Sequence, residues 1–201
     1  MTPIDLTLYL GGTRSGKSER AEARVHRLAA GPVLYVATAQ AGDAAMAERI
    51  RRHQSRRPDA WQTLECPLHV AEGLSGALAA LPSAAAKPTI LLDCVTLWVS
   101  NILFSLPDPE DLIAFEREVR AHMEAFLGLA RASGCRFVVV SGETGLGGIN
   151  PTPLGRIYAD GLGLANRLLA DAAAEAFLVI AGRVLRLERE EPPLSPQPSA
   201  L

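Results

Sequence analysis

Leu6-Thr7-Leu8-Tyr9-Leu10-Gly11-Gly12-Thr13-Arg14-Ser15-Gly16-Lys17-Ser18 is the stretch that decides how this chain folds. Its first five residues form a short apolar run of strand length. The rest fits G-x-x-x-x-G-K-[ST], the phosphate-binding loop, with Gly11, Gly16, Lys17 and Ser18 at the defining positions. Each residue type has a physical reason. Glycines let the backbone turn tightly enough for its N–H groups to converge on phosphate oxygens. Lys17 reaches the β- and γ-phosphates, and the Ser18 hydroxyl can ligate Mg²⁺. Residues 19–30 are helix formers with Ala21, Val25 and Leu28 at helical spacing, stopped by Gly31-Pro32. A helix that starts at the loop turns its positive dipole end toward the same phosphates.

Outward from this unit the pattern alternates. Val33–Ala37 is a second apolar run, short enough for a buried strand. Helices are expected over 41–57, ended by Pro58, and over 69–81, while 61–64 can form a strand between them. A loop at 82–88 precedes a strand at 89–92 that Asp93 closes, and a short helix follows at 96–104. After the turn Leu106-Pro107-Asp108-Pro109, the stripe Leu112, Phe115, Val119, Met123, Phe126 and Leu127 predicts a long helix over 111–132. A strand at 137–140, a glycine-rich loop at 141–153 and a helix at 154–174 come next. Residues 177–180 and 184–187 read as an antiparallel pair around Ala181-Gly182-Arg183. The alternation implies an α/β fold with a mostly parallel sheet covered on both faces. One nucleotide-binding domain is expected over 1–189, and a Pro-rich flexible tail over 190–201.

Composition narrows the classes. The 201 residues suit one α/β domain, and 48% hydrophobic content excludes a disordered chain. A net charge of -2, from 20 basic and 22 acidic residues, argues against a nucleic-acid binder. Cys66, Cys94 and Cys135 form no C-x-x-C pair and read as small buried residues of a reducing compartment. No basic leader opens the chain, and no apolar run reaches the roughly 20 residues of a membrane span, so a cytoplasmic protein is expected.

Three further places bear on chemistry. Asp93 ends an apolar strand, where a Walker-B carboxylate holds Mg²⁺ directly or through water; a helix N-cap is the plainer alternative. On the expected helix over 41–57, Met46, Ile50 and His53 share a face, with Arg49, Arg51, Arg52, Arg56 and Arg57 around them. Only Glu48 and Asp59 offset these arginines locally, which suggests anion binding. Nearby positive charge keeps an imidazole neutral and able to attack phosphorus. The residues alone leave His53 between that role and a structural one. The loop after the strand at 137–140 holds Gly145, Gly147 and Gly148, at the strand end where α/β sheets bind ligands. His26, His69 and His122 have no partner motif.

Taken together, these segments resemble one family. Gly11 to Ser18 is similar to its G-G-x-R-S-G-K-S loop, and Leu34-Tyr35-Val36-Ala37-Thr38-Ala39 to its second strand. Met46-Ala47-Glu48-Arg49-Ile50-x-x-His53 and Arg57-Pro58-x-x-Trp61-x-Thr63-x-Glu65 resemble its histidine region. Leu91-Leu92-Asp93-Cys94-Val95-Thr96, Asn101-Ile102-Leu103-Phe104, Gly142-Glu143-Thr144-Gly145-x-Gly147 and Asn150-Pro151 complete the likeness. The family is the bifunctional adenosylcobinamide kinase / adenosylcobinamide-phosphate guanylyltransferase of cobalamin biosynthesis. Three departures stand out: Gly142-Glu143 where the family usually has Asn-Glu, Tyr158-Ala159-Asp160 where it has Phe-Arg-Asp, and Arg52 where it often has a second histidine.

The resemblance implies a RecA-like fold, a homotrimer and two linked reactions. ATP or GTP would phosphorylate adenosylcobinamide, and GTP would then give GMP to that phosphate through a GMP-histidine at His53. Gly11, Gly12, Thr13, Arg14, Ser15, Gly16, Lys17 and Ser18 would bind the triphosphate, with Lys17 catalytic. Thr38, Gln54, Glu65 and Asp93 would contact nucleotide, with Ser18 and Asp93 on Mg²⁺. No nucleic acid and no membrane span are implied. A monofunctional P-loop small-molecule kinase is the nearest rival reading. A RecA-like nucleic-acid ATPase is a more distant one, marked by steep salt dependence.

Overall fold

β1 (Ile4–Gly11) is buried from Leu6 onward. Such burial on both faces is what consecutive apolar positions in a parallel strand require. The computed structural model describes residues 4–40, 42, 48, 51, 54, 57–81 and 86–189. After β1 come α1 (Lys17–Leu28), β2 (Val33–Ala37), β3 (Gln62–Glu65) and α2 (Val70–Ala80). β4 (Thr89–Asp93), α3 (Val95–Ser105), α4 (Leu112–Ser133) and β5 (Arg136–Gly142) follow. A 3₁₀ turn at Gly145–Gly147 leads to α5 (Pro153–Ala172), β6 (Ala173–Ile180) and β7 (Arg183–Leu187). The strands make one seven-stranded sheet in the order β3-β2-β4-β5-β1-β6-β7. All pairings are parallel except β6 with β7. This is the mostly parallel α/β architecture read from the sequence.

Alternation along each strand divides the core in two. Leu8, Val36, Leu92 and Val139 point to one face, beneath α2, α3, α4 and α5. Tyr9, Tyr35, Leu91 and Val140 point to the other, where Ala21 and Val25 of α1 cover them. The phosphate loop feeds α1. The chemistry-bearing side chains therefore fall on the face that, among the described residues, has less helix over it.

Several boundaries shift by a residue or two from the sequence reading, and two of the shifts trade helix or loop for strand. The last helix, expected to reach residue 174, stops at Ala172, and β6 starts at Ala173 rather than at 177. Ala173 pairs with Ile4 of β1. Sheet pairing thus overrides the helix preference of an alanine-rich stretch. β5 likewise runs on to Gly142, because Gly142 pairs with Gly11. Of the helix expected over 41–57, Glu48, Arg51 and Gln54 are helical, and most of the rest, with the tail at 190–201, lies outside the described residues. Among the described residues no helix is long and apolar enough to cross a membrane.

α4 and α5 approach closely because Gly161 faces the fully buried ring of Phe115. A Cβ at position 161 would overlap that ring. Gly161→Ala is expected to cost about 1–3 kcal/mol in chemical denaturation, as overpacking does. Adding Phe115→Leu should return part of the loss if the ring is the obstacle.

His122 on α4 lies edge-on to Trp98 at 6.0 Å and 5.9 Å from the ring of His69. Burial, and then the neighbouring His69, hold its imidazole below the ordinary value, while Glu118 and Glu72 oppose this. The unfolded chain therefore takes up a proton that the folded one resists. Stability from this group is full above the ordinary histidine value of about 6.5 and is lost as pH falls toward the lower folded value. In urea melts at about pH 7.5 and about pH 5.5, His122→Gln should lose less stability over that interval than wild type.

Candidate active site

β1 delivers Gly11 to the C-terminal edge of the sheet, and the chain then turns sharply. Ser15 N–H donates to Gly12 O at 3.2 Å. Arg14 (φ 57) and Gly16 (φ 93) take left-handed conformations, and Gly16 is the N-cap of α1. Glycine at 16 meets a backbone angle that side chains rarely tolerate. At Gly11 the constraint is space: a Cβ there would sit 2.6 Å from both Ser15 Oγ and Val179 O. Lys17 Nζ donates to Gly12 O at 3.1 Å, so its ammonium curls over the loop it follows. The β6–β7 turn braces the loop from outside. Gly182 N–H donates to Ser15 O at 2.9 Å, and Arg20 donates to Gly182 O at 2.5 Å. Nothing in the sequence joined Gly182 and Arg20 to the loop. The turn residues were legible, but not what they lean on.

Strand register brings the carboxylates to the same edge. Ala37 pairs with Glu65 on one side and with Asp93 on the other. The Glu65 and Asp93 backbones thus stand two strand spacings apart, roughly 10 Å. Asp93 Oδ1 accepts from Ser18 Oγ at 3.4 Å, joining the end of β4 to the first turn of α1. Asp93 Oδ2 accepts from the Tyr35 hydroxyl at 2.9 Å. Burial, and then the charge of Asp93, raise the Tyr35 phenol far above its ordinary value, so it remains a donor. Burial, and then Asp93, push the Cys94 thiol up to about 11, which keeps it protonated at neutral pH. Sequence reading passed over Tyr35. The available signal was a phenol in an otherwise aliphatic buried strand, two residues before its C-terminal end.

The remaining candidates fall around this centre. Thr38 is fully buried, and its hydroxyl donates to Cys94 O at 2.7 Å and accepts from Cys94 N–H at 3.0 Å. Asn101 donates to both Thr38 O and Pro67 O at 2.8 Å, clamping the exits of β2 and β3. Gln54 and Glu65 are exposed, and Gln54 Nε2 donates to Glu65 Oε1 at 3.4 Å. Gly12, Thr13 and Arg14 are exposed along the loop. His53 lies outside the described residues. Arg57, which follows it, stacks its guanidinium 3.5 Å from the Tyr35 ring centre.

The loop after β5 abuts the same place, with Glu143 N–H donating to Gly11 O at 3.1 Å. Gly142 N–H donates to Thr96 Oγ1 at 2.6 Å, and a Cβ at 142 would lie 2.7 Å from that oxygen. This contact is a reason for glycine here. Among these tight positions, Gly11 gives the clearest test. Gly11→Ala should lower stability by about 1–3 kcal/mol and weaken binding of a fluorescent GTP analogue, since Ser15 or the Val179 carbonyl must move.

A solved structure shares this fold, and three curated relatives share the sequence over most of its length. The fold matches that of a solved ATPase domain with a TM-score of 0.52 over 86% of this chain and 68% of that one. At 8% identity the likeness shows the fold alone, a RecA-like P-loop architecture. The bifunctional adenosylcobalamin biosynthesis protein CobP of Pseudomonas aeruginosa is 40% identical over 91% of this chain and 97% of its own length. The corresponding CobU proteins of Salmonella typhimurium and Escherichia coli are 38% and 36% identical, each covering 88% of this chain and 96% of the relative. The family model described as cobinamide kinase / cobinamide phosphate guanyltransferase matches residues 7–187. With a phosphate loop, a strand-end aspartate and matches of this length, the chain belongs to the cobinamide kinase / cobinamide phosphate guanyltransferase family.

Proposed function

We propose that this protein phosphorylates adenosylcobinamide with ATP or GTP and then transfers GMP from GTP to adenosylcobinamide phosphate, giving adenosylcobinamide-GDP. The observation that carries the reading is the meeting of Lys17, Ser18 and Asp93 at one sheet edge, in a chain that matches the family over residues 7–187.

In the first reaction the substrate hydroxyl oxygen bonds to the γ-phosphorus, and the bond from that phosphorus to the bridging oxygen breaks. A nucleoside diphosphate leaves, and the hydroxyl proton passes to solvent. The amides of Gly11 to Ser18 and the α1 N-terminus hold the phosphates in line for this displacement. Lys17 leaves Gly12 O and neutralises the charge that develops on the transferred group. Ser18 and Asp93 supply hard oxygen donors 3.4 Å apart. Among the described residues no group of three or more His, Cys, Asp or Glu is placed to enclose a metal. Such a site suits Mg²⁺, which takes one or two protein oxygens and completes its shell with phosphate and water. When bound, the ion would supply charge neutralisation to the triphosphate.

In the second reaction a ring nitrogen of His53 attacks the α-phosphorus of GTP, and pyrophosphate leaves. The phosphate of adenosylcobinamide phosphate then displaces histidine from that phosphorus. Two in-line displacements replace one difficult step. Arginines around His53 balance the α-phosphate charge, and Gln54, Glu65 and Thr38 contact nucleotide. Residues 1–189 form the catalytic domain, 190–201 a Pro-rich tail, and the enzyme works as a cytoplasmic homotrimer by family resemblance.

The histidine step has a direct test. Incubation with α-labelled GTP and Mg²⁺, then denaturation, should leave acid-labile, alkali-stable label on wild type and none on His53→Ala. Equal labelling of both proteins removes His53 from the mechanism. Supplying adenosylcobinamide should move the label into a small-molecule product.

A further inference from the structure

Asp93 can serve a metal at the phosphate loop only if its carboxyl is turned toward Ser18. Nothing in the strand backbone fixes that rotation. Tyr35 stands diagonally across from Asp93 on the neighbouring strand, since Ala37 pairs with Asp93 and Tyr35 with Leu91. Diagonal neighbours on one sheet face are roughly 7–8 Å apart, within reach of a tyrosine. The phenol spans that gap and donates to Oδ2 at 2.9 Å, leaving Oδ1 toward Ser18 Oγ. The ring is itself held. It is 1% exposed, packed in the face that α1 covers, with the Arg57 guanidinium 3.5 Å from its centre. Arg57 in turn donates to Thr63 Oγ1 at 3.4 Å, at the start of β3.

We propose that Tyr35 is a positioning residue of the phosphoryl-transfer site: its hydroxyl holds one oxygen of Asp93 so that the other faces Ser18 and the Mg²⁺ that accompanies the nucleotide. Its opposite contact matters too. Arg57 lies four residues after His53 in the chain, so one side chain touches both the metal-binding carboxylate and the segment assigned to guanylyl transfer. Tyr35 does not touch substrate. It acts through the rotamer of Asp93, and the Arg57 guanidinium stacked on its aromatic face keeps it in place.

The inference rests on the function proposed above for the same site, and its test needs no corrinoid. Tyr35→Phe removes the hydroxyl and keeps the ring and the Arg57 stack. GTP affinity of wild type and variant is measured by calorimetry in EDTA and across a Mg²⁺ series. The variant should match wild type in EDTA. It should need roughly tenfold more Mg²⁺ to reach half of the metal-dependent gain, the scale of one hydrogen bond to a charged group. In an Asp93→Asn background, Tyr35→Phe should add no further shift.

Equal weakening with and without Mg²⁺ would mean a merely structural ring and overturns the proposal. So do an unchanged Mg²⁺ midpoint, full additivity with Asp93→Asn, and a wild type whose GTP affinity ignores Mg²⁺. Should Tyr35→Phe not fold, 3-fluorotyrosine placed at position 35 keeps the donor. Its fluorine resonance must move when Mg²⁺ joins the GTP complex and stay fixed when GTP binds in EDTA; no movement overturns the assignment. Intact Mg²⁺-dependent GTP binding with no adenosylcobinamide phosphate formed would sink the functional reading and leave Tyr35 standing.

Discussion

The pairing of Gly11 with Gly142 on one side and Val179 on the other is the constraint on which the rest of the molecule depends. It ends β5 and β6 level with the point where β1 gives way to the phosphate loop. Backbone hydrogen bonding on both flanks leaves no freedom in where the loop begins. The loop lies against Val179 O closely enough to exclude a side chain at Gly11. The β6–β7 turn then reaches back and pairs Gly182 with Ser15. A phosphate cradle works by holding N–H groups still before the ligand arrives, and here two neighbouring strands and a hairpin turn do the holding.

The second organising fact is the uneven cover of the sheet. Among the described residues, four helices and most of the large apolar side chains lie on one face, and α1 covers the other. That thinner face carries Ser18, Asp93, Tyr35 and Arg57. A polar chain can persist there because each member has a partner: Ser18 and Tyr35 bond to Asp93, and Arg57 stacks on Tyr35. Burial raises the worth of each bond and the cost of leaving one unmade. The Thr38, Cys94 and Asn101 contacts bind the exits of β2, β3 and β4 to one another, just beyond Glu65 and Asp93.

The alternation of strands and helices was legible because apolar period and breaker residues are local signals. So were the loop from Gly11 to Ser18 and the strand-end position of Asp93. Local signals also misplaced two ends. Residues 173 and 174 read as helix, since alanine favours one, yet β6 begins at Ala173, which pairs with Ile4 of β1. Residues 141 and 142 read as loop but extend β5 for the same reason. In both cases a partner distant in sequence supplied hydrogen bonds that propensity could not anticipate.

By itself the sequence determined the class of fold, the phosphate-binding chemistry and the family likeness, because each rests on residue type and short spacing. Only the tertiary structure decided which further groups meet: Tyr35 with Asp93, 58 residues apart, and Arg20 with the Gly182 carbonyl, 162 apart. Such meetings depend on strand order and register, which put β4 beside β2 and β6 beside β1. Those are set by the burial of whole faces at once, a property of the assembled sheet that no short window of the chain contains.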